Sequence, residues 1–151
     1  MKKISLAIIV SFCFTLIVFG EEVNDCLENA VTQSEMNHCE GVNFDKADAE
    51  LNRVYKLIRK VYKDDKEFLS KLKKSQLAWI KSRDADMEMR FPLEDKQSQY
   101  GSVFPMCNSI IEITLTLQRI EYLKQWLEGI EEGDVCSGSI KRPSQIKEAL
   151  N

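Results

Sequence analysis

The stretch Ser75-Gln76-Leu77-Ala78-Trp79-Ile80-Lys81-Ser82-Arg83-Asp84-Ala85-Asp86 contains no glycine and no proline and consists of good helix formers, so it predicts a helix. Leu72, Gln76, Trp79 and Arg83 recur at steps of four, three and four, which places them on one face. Trp79 and Leu72 make that face the buried one, yet it also carries an amide and a guanidinium. A buried group of either kind needs a partner, or it costs a few kcal/mol. The stretch therefore predicts the middle helix of a small bundle with a polar seam. The competing arrangement leaves Gln76 and Arg83 at the edge, snorkelling to water.

Helical spacing extends to both sides. Asn24 to Ala30 reads as a short helix. Thr32-Gln33-Ser34-Glu35 is a capping box that opens a second helix. Ala47, Leu51, Val54, Ile58 and Val61 hold the three/four spacing along it, and Gly41 and Asn43 are its weak points. Lys63-Asp64-Asp65-Lys66 is a polar turn. The third helix runs from about Asp65 to Arg90 and stops before Pro92. Glu94 to Phe104 reads as a loop, and Pro105 opens a fourth helix. That helix carries two apolar stripes, Ile110-Ile113-Leu117-Ile120-Leu127 and Ile111-Leu115-Tyr122-Trp126, which predicts burial on more than one side. Gly129 and Gly133 end it. Asp134 to Asn151 is polar, with one possible turn after Pro143, and reads as a fraying tail. No repeat and no strand signal interrupts this pattern. Short turns make neighbouring helices antiparallel, so the long helices run up, down, up.

The first residues bound the compartment. Met1-Lys2-Lys3, an apolar run from Ile4 to Phe19, and Gly20 form a positively charged n-region, an h-region and a small residue at a cleavage point. The run is short for a membrane span, which needs about 20 residues; an uncleaved anchor is the alternative. Cys13 follows Val10-Ser11-Phe12, not the small residues that a lipidated cysteine needs, and leaves with the leader. Removing residues 1–20 leaves 19 basic against 24 acidic residues, a net charge of −5. That balance disfavours nucleic acid, whose phosphates need a basic face. It suits attraction to a basic protein.

Export places Cys26, Cys39, Cys107 and Cys136 in an oxidising space, where they are disulfide candidates and not metal ligands. There is no Cys-x-x-Cys, and one histidine, so no metal or cofactor is expected. Cys26 and Cys39 flank the turn near Thr32 almost symmetrically and pair across a helical hairpin. Cys107 and Cys136 are the remainder. A helix from Cys107 to Glu128 is about 32 Å long, and the chain from there to Cys136 reaches back at most about 28 Å. A bridge needs Cα atoms within about 7 Å, so free thiols and pairing between chains compete with it.

No catalytic constellation emerges. His38 stands alone near a helix start, without the Ser, Cys or Asp partners of a nucleophilic triad. Asp48, Asn52 and Tyr55 share a helix face, and Asp48 or Asn52 meeting Arg83 across two helices completes the seam with Gln76. Sugar hydrolysis instead requires two carboxyls across a cleft, about 5–10 Å apart, and a packed bundle of this size offers no obvious cleft. The Tyr100-Gly101-Ser102 tip is the candidate for binding, since loops on rigid scaffolds carry recognition and tyrosine gives contact area at low entropic cost. A plain connector is the alternative.

Four ordered blocks resemble the LprI-type lysozyme-inhibitor family of small exported helical domains. They are Asp25-Cys26 with Thr32 to Cys39; Ala47-Asp48-Ala49-Glu50-Leu51-Asn52-Arg53-Val54-Tyr55; Ser75 to Ala85; and Gly101-Ser102, Cys107 and Leu115-Thr116 with Arg119. The family pattern has a cysteine shortly after the Arg-Asp-Ala block, where this chain has Met87. The family's second bridge would join that position to Cys107, and here it cannot form. The resemblance implies inhibition of a lysozyme in the cell envelope. If the target is a lysozyme, its cleft carries catalytic carboxylates that a Ser or amide at the tip could hydrogen-bond. The acidic surface would speed encounter with a cationic lysozyme. A periplasmic helical interaction module with another protein target is the second reading, and an enzyme fits least. The expected architecture is all-α, a disulfide-stapled bundle of three long helices plus a short N-terminal one. Residues 1–20 are the leader, 21–132 the helical domain and 133–151 a flexible tail, and neither nucleic acid nor membrane is a partner after cleavage.

Overall fold

The capping box forms as read. The Thr32 hydroxyl accepts from the Glu35 N–H at 3.2 Å, and the Glu35 carboxylate accepts from the N–H groups of Thr32 and Val31, each at 2.8 Å. In the computed structural model, which describes residues 26–151, this cap opens the longest helix. The leader, and the expected helix start at Asn24, lie outside the described residues. The elements are α1 (residues 26–29), α2 (Gln33–Val61), α3 (Lys66–Arg90), α4 (Lys96–Tyr100), α5 (Phe104–Glu128) and α6 (Pro143–Leu150). No strand occurs among the described residues. Helix α2 continues through Gly41, and Asn43 Nδ2 donates to Glu40 Oε2 at 3.3 Å within it. The Asp65 side chain accepts from the Phe68 N–H at 2.9 Å and starts α3.

Helices α2 and α5 run parallel and share the most extensive packing among the described residues, while α3 runs antiparallel to both and stands farther off. Contacts fix the directions. Asn37 reaches Ser102 at one pole, and Arg119 of α5 reaches Ser75 and Gln76 of α3 farther along. Phe68 of α3 lies 6.3 Å from Trp126 of α5 near the other pole. The core is built from Leu51, Val54 and Ile58 of α2 and its C-cap Tyr62, with Ile120 and Leu123 of α5. It sits toward the pole where α2 ends.

Three expectations change. The 94–104 segment is not all loop: Asp95 accepts from the Ser98 N–H at 3.0 Å and caps α4. The α5 stripes are not both buried, because Ile110, Leu117 and Tyr122 are exposed. The closed face is Thr116, Arg119, Ile120 and Leu123, which takes only Ile120 from the two stripes. The largest change is at the C-terminus, where residues 133–151 are not a fraying tail. Ile146 is 3% exposed and belongs to the core, with Ala149 and Leu150 packed beside it. Lys141 donates from its N–H to the Tyr62 hydroxyl and from Nζ to the Val61 carbonyl, both at 3.0 Å, and Lys60 Nζ donates to the Leu150 carbonyl at 2.8 Å. Ile146 and Leu150 share a face at a step of four, which gives α6 an apolar side to bury.

Candidate functional site

The pole that holds the tip is braced three ways. Cys26 and Cys39 form a disulfide, with Cα atoms 5.7 Å apart, that ties α1 to α2. Phe91, Tyr100 and Phe104 pack ring to ring, with centroids 5.1–5.8 Å apart. Asn37 Nδ2 donates to the Ser102 carbonyl at 2.9 Å and ties α2 to the tip. The Tyr100 ring thus closes the loop, and its hydroxyl accepts from the Leu93 N–H at 3.3 Å. Gly101 and Ser102 are left at the surface with Val103 and Leu93. Gly101 has φ +74°, which favours glycine, and open space where a side chain would stand.

The four seam residues line one groove of about 720 Å³ between α2 and α3. They do not pair across it as expected. Asn52 Nδ2 donates to the Asp48 carboxylate at 2.8 Å, within α2. Arg83 pairs with its neighbour Asp84 at 2.8 Å and lies over the Trp79 ring at 5.3 Å. Gln76 Oε1 accepts from Arg119 Nε at 3.0 Å, and the Ser75 hydroxyl accepts from Arg119 Nη2 at 2.9 Å. The physical reason is spacing: α3 stands off from α2 and leans on α5, so its polar groups find partners there. The groove is an opening that a closed bundle would lack. Asp48 is the one carboxylate in its lining, so no carboxylate pair spans it.

Arg119 is the residue that spacing alone did not single out. It is 8% exposed, and burial pushes its guanidinium below its usual pKa. Trp79 and Tyr122 present their rings to it at 5.8 and 5.3 Å. Its place three residues after Thr116 and four before Leu123 was the available signal. Near the same seam, Glu112 accepts from Asn108 Nδ2 at 2.7 Å. Burial raises its pKa, while the Arg83 charge opposes the rise.

Cys107 and Cys136 are free thiols. Cys107 sits in the first turn of α5 and Cys136 in the segment beyond its end, and no bridge joins them, so the remainder pairing within the chain does not form. Cys107 is half-buried and Cys136 exposed. Met87 is buried in the position where a partner for Cys107 was looked for. His38 is exposed beside the disulfide, and no cluster of three or more metal-ligating side chains occurs among the described residues. No helix of the described residues is long and apolar enough to cross a membrane.

A family model described as Lysozyme inhibitor LprI matches residues 24–123. An uncharacterized protein of Rhizobium meliloti (strain 1021) is 31% identical over 142 residues, which cover 87% of this chain and 99% of its own length. No solved structure matches the chain.

Proposed function

We propose that this chain, which belongs to the lysozyme inhibitor LprI family, is an exported protein that binds a lysozyme and occludes its active-site cleft. The observation that carries the reading is the family match, which spans α1, α2, α3, α4 and most of α5. The tip is the surface best suited to the role. Gly101 and Ser102 are exposed, flanked by exposed Leu93 and Val103, on a pole held by a disulfide and an aromatic triplet. A surface already fixed in the free protein loses little entropy on binding. The Ser102 hydroxyl and the tip backbone supply hydrogen bonds for carboxylates in a cleft. The acidic balance of the chain supplies long-range attraction to a cationic enzyme.

The test is an inhibition assay with the mature protein against lysozymes of several types. Inhibition at or below micromolar protein is expected, and it should be lost in Ser102→Arg. That substitution leaves the backbone bond from Asn37 intact, so circular dichroism and melting should not change. Absence of inhibition by the unmodified protein at micromolar concentration would assign the chain to the second reading, an envelope interaction module with a different protein target. Undiminished inhibition by Ser102→Arg would remove the tip from the account.

A further inference from the structure

We propose that the groove between α2 and α3 is a docking site for an acidic amphipathic helix of a partner protein. Three observations lead there. First, the groove reverses the sign of the molecule. The chain as a whole is acidic, at −3, yet the groove is lined by Arg59, Lys66, Lys73 and Arg83 against Asp48 alone. Asp48 is already engaged by Asn52 and Arg83 by Asp84. Arg59, Lys66 and Lys73 take part in none of the ion pairs among the described residues.

Second, the floor is apolar. Leu51, Leu69, Leu77 and Ile80 line it, and Leu77 is 52% exposed although it sits in the middle of a long helix. Helix α3 holds only two buried residues, Leu72 and Met87; Phe68, Leu69 and Trp79 are partly buried against the core, and Leu77 is left exposed in the lining. A basic rim around an apolar floor between two helices is the geometry that takes a helix with an apolar stripe and acidic flanks.

Third, the groove is long. Its lining runs from Asp48 to Arg59 on α2, about 16 Å, and from Lys66 to Arg83 on α3, about 25 Å. A small anion would contact one end of it, whereas three to four helical turns fill it. The Gln76 carbonyl is held by Arg119, which leaves its amide nitrogen, with no acceptor among the described residues, as a donor within the lining. The inference is independent of the lysozyme reading, since a basic groove does not attract a cationic enzyme.

The probe is a synthetic peptide of about fourteen residues, with Leu at helical spacing and Glu elsewhere, titrated into the mature protein at low salt. Saturable binding is expected, with affinity falling at least tenfold when Lys replaces every Glu and at least tenfold in Lys73→Glu. Leu77→Asp should weaken it similarly. Both positions are exposed, so both variants fold, and their inhibition of a lysozyme should equal that of the unmodified protein. Equal binding of a scrambled peptide, displacement by polygalacturonate, or indifference to Lys73→Glu and Leu77→Asp would overturn the proposal. So would an absence of binding at millimolar peptide.

Discussion

The guanidinium of Arg119 meets no carboxylate among the described residues. It is held by two neutral acceptors and two ring faces, an arrangement that fixes the distance between α3 and α5 without a buried ion pair. Its neighbour Thr116 is 0% exposed, and its hydroxyl finds no hydrogen-bond partner among the described residues. Such an orphan costs about 1–3 kcal/mol. Thr116→Val, which keeps the shape, should therefore raise stability by about 1 kcal/mol in urea unfolding. Glu112 makes a prediction in pH. Burial raises its folded pKa above the ordinary 4.5, so the fold favours the protonated form. Stability then falls as pH rises from about 4.5 through the raised value, because the unfolded chain ionises first. Glu112→Gln should be more stable than the unmodified protein at pH 7, and the difference should vanish on acidification below the ordinary range. The pairing of Cys26 with Cys39 was legible from spacing. The partners of Gln76 and Arg83 were not, because periodicity gives a face and not the distance to the next helix.

Helix α6 shows where reading by composition stops. Residues 133–151 look polar, and eight residues are too few to form a stable helix alone. What holds them is a socket. Gly129 ends α5 at φ +84°, and a Cβ there would meet the Lys141 carbonyl at 2.8 Å, Pro143 N at 2.9 Å and Ile146 Cδ1 at 2.9 Å. Glycine was read as the end of a helix, and it is also the point of closest approach. Gly129→Ala should strain the turn and loosen α6, at a cost of about 2 kcal/mol or more. Hydrogen exchange at Ile146 to Leu150 should speed up, while α2 near Cys39 stays unchanged. The three long helices were legible because each carries its own periodicity and a start signal, a side-chain cap on α2 and α3 and Pro105 in the first turn of α5. α4 was not: its five residues are too short to show a period, and its marker is the Asp95–Ser98 cap.

Across the molecule, the two poles are secured by different means. At the tip pole a covalent bond closes a short chain segment, and such a bond contributes about 2–4 kcal/mol. The opposite pole relies on burial of Ile146 and the hydrogen bonds of Lys141 and Lys60. Reduction should therefore release α1 and lower the melting temperature while leaving α6 docked. Thiol titration of the unreduced mature protein should find two free groups, exposed Cys136 reacting rapidly and half-buried Cys107 more slowly. That chemistry has a practical side. Cys136 follows the end of α5 opposite to Gly101, and α5 itself is on the order of 35 Å long. A maleimide resin or sensor chip would capture every molecule in one orientation, with the tip turned toward the solution. Coupling through surface amines would instead scatter the orientations and consume the lysines that border the α2–α3 opening.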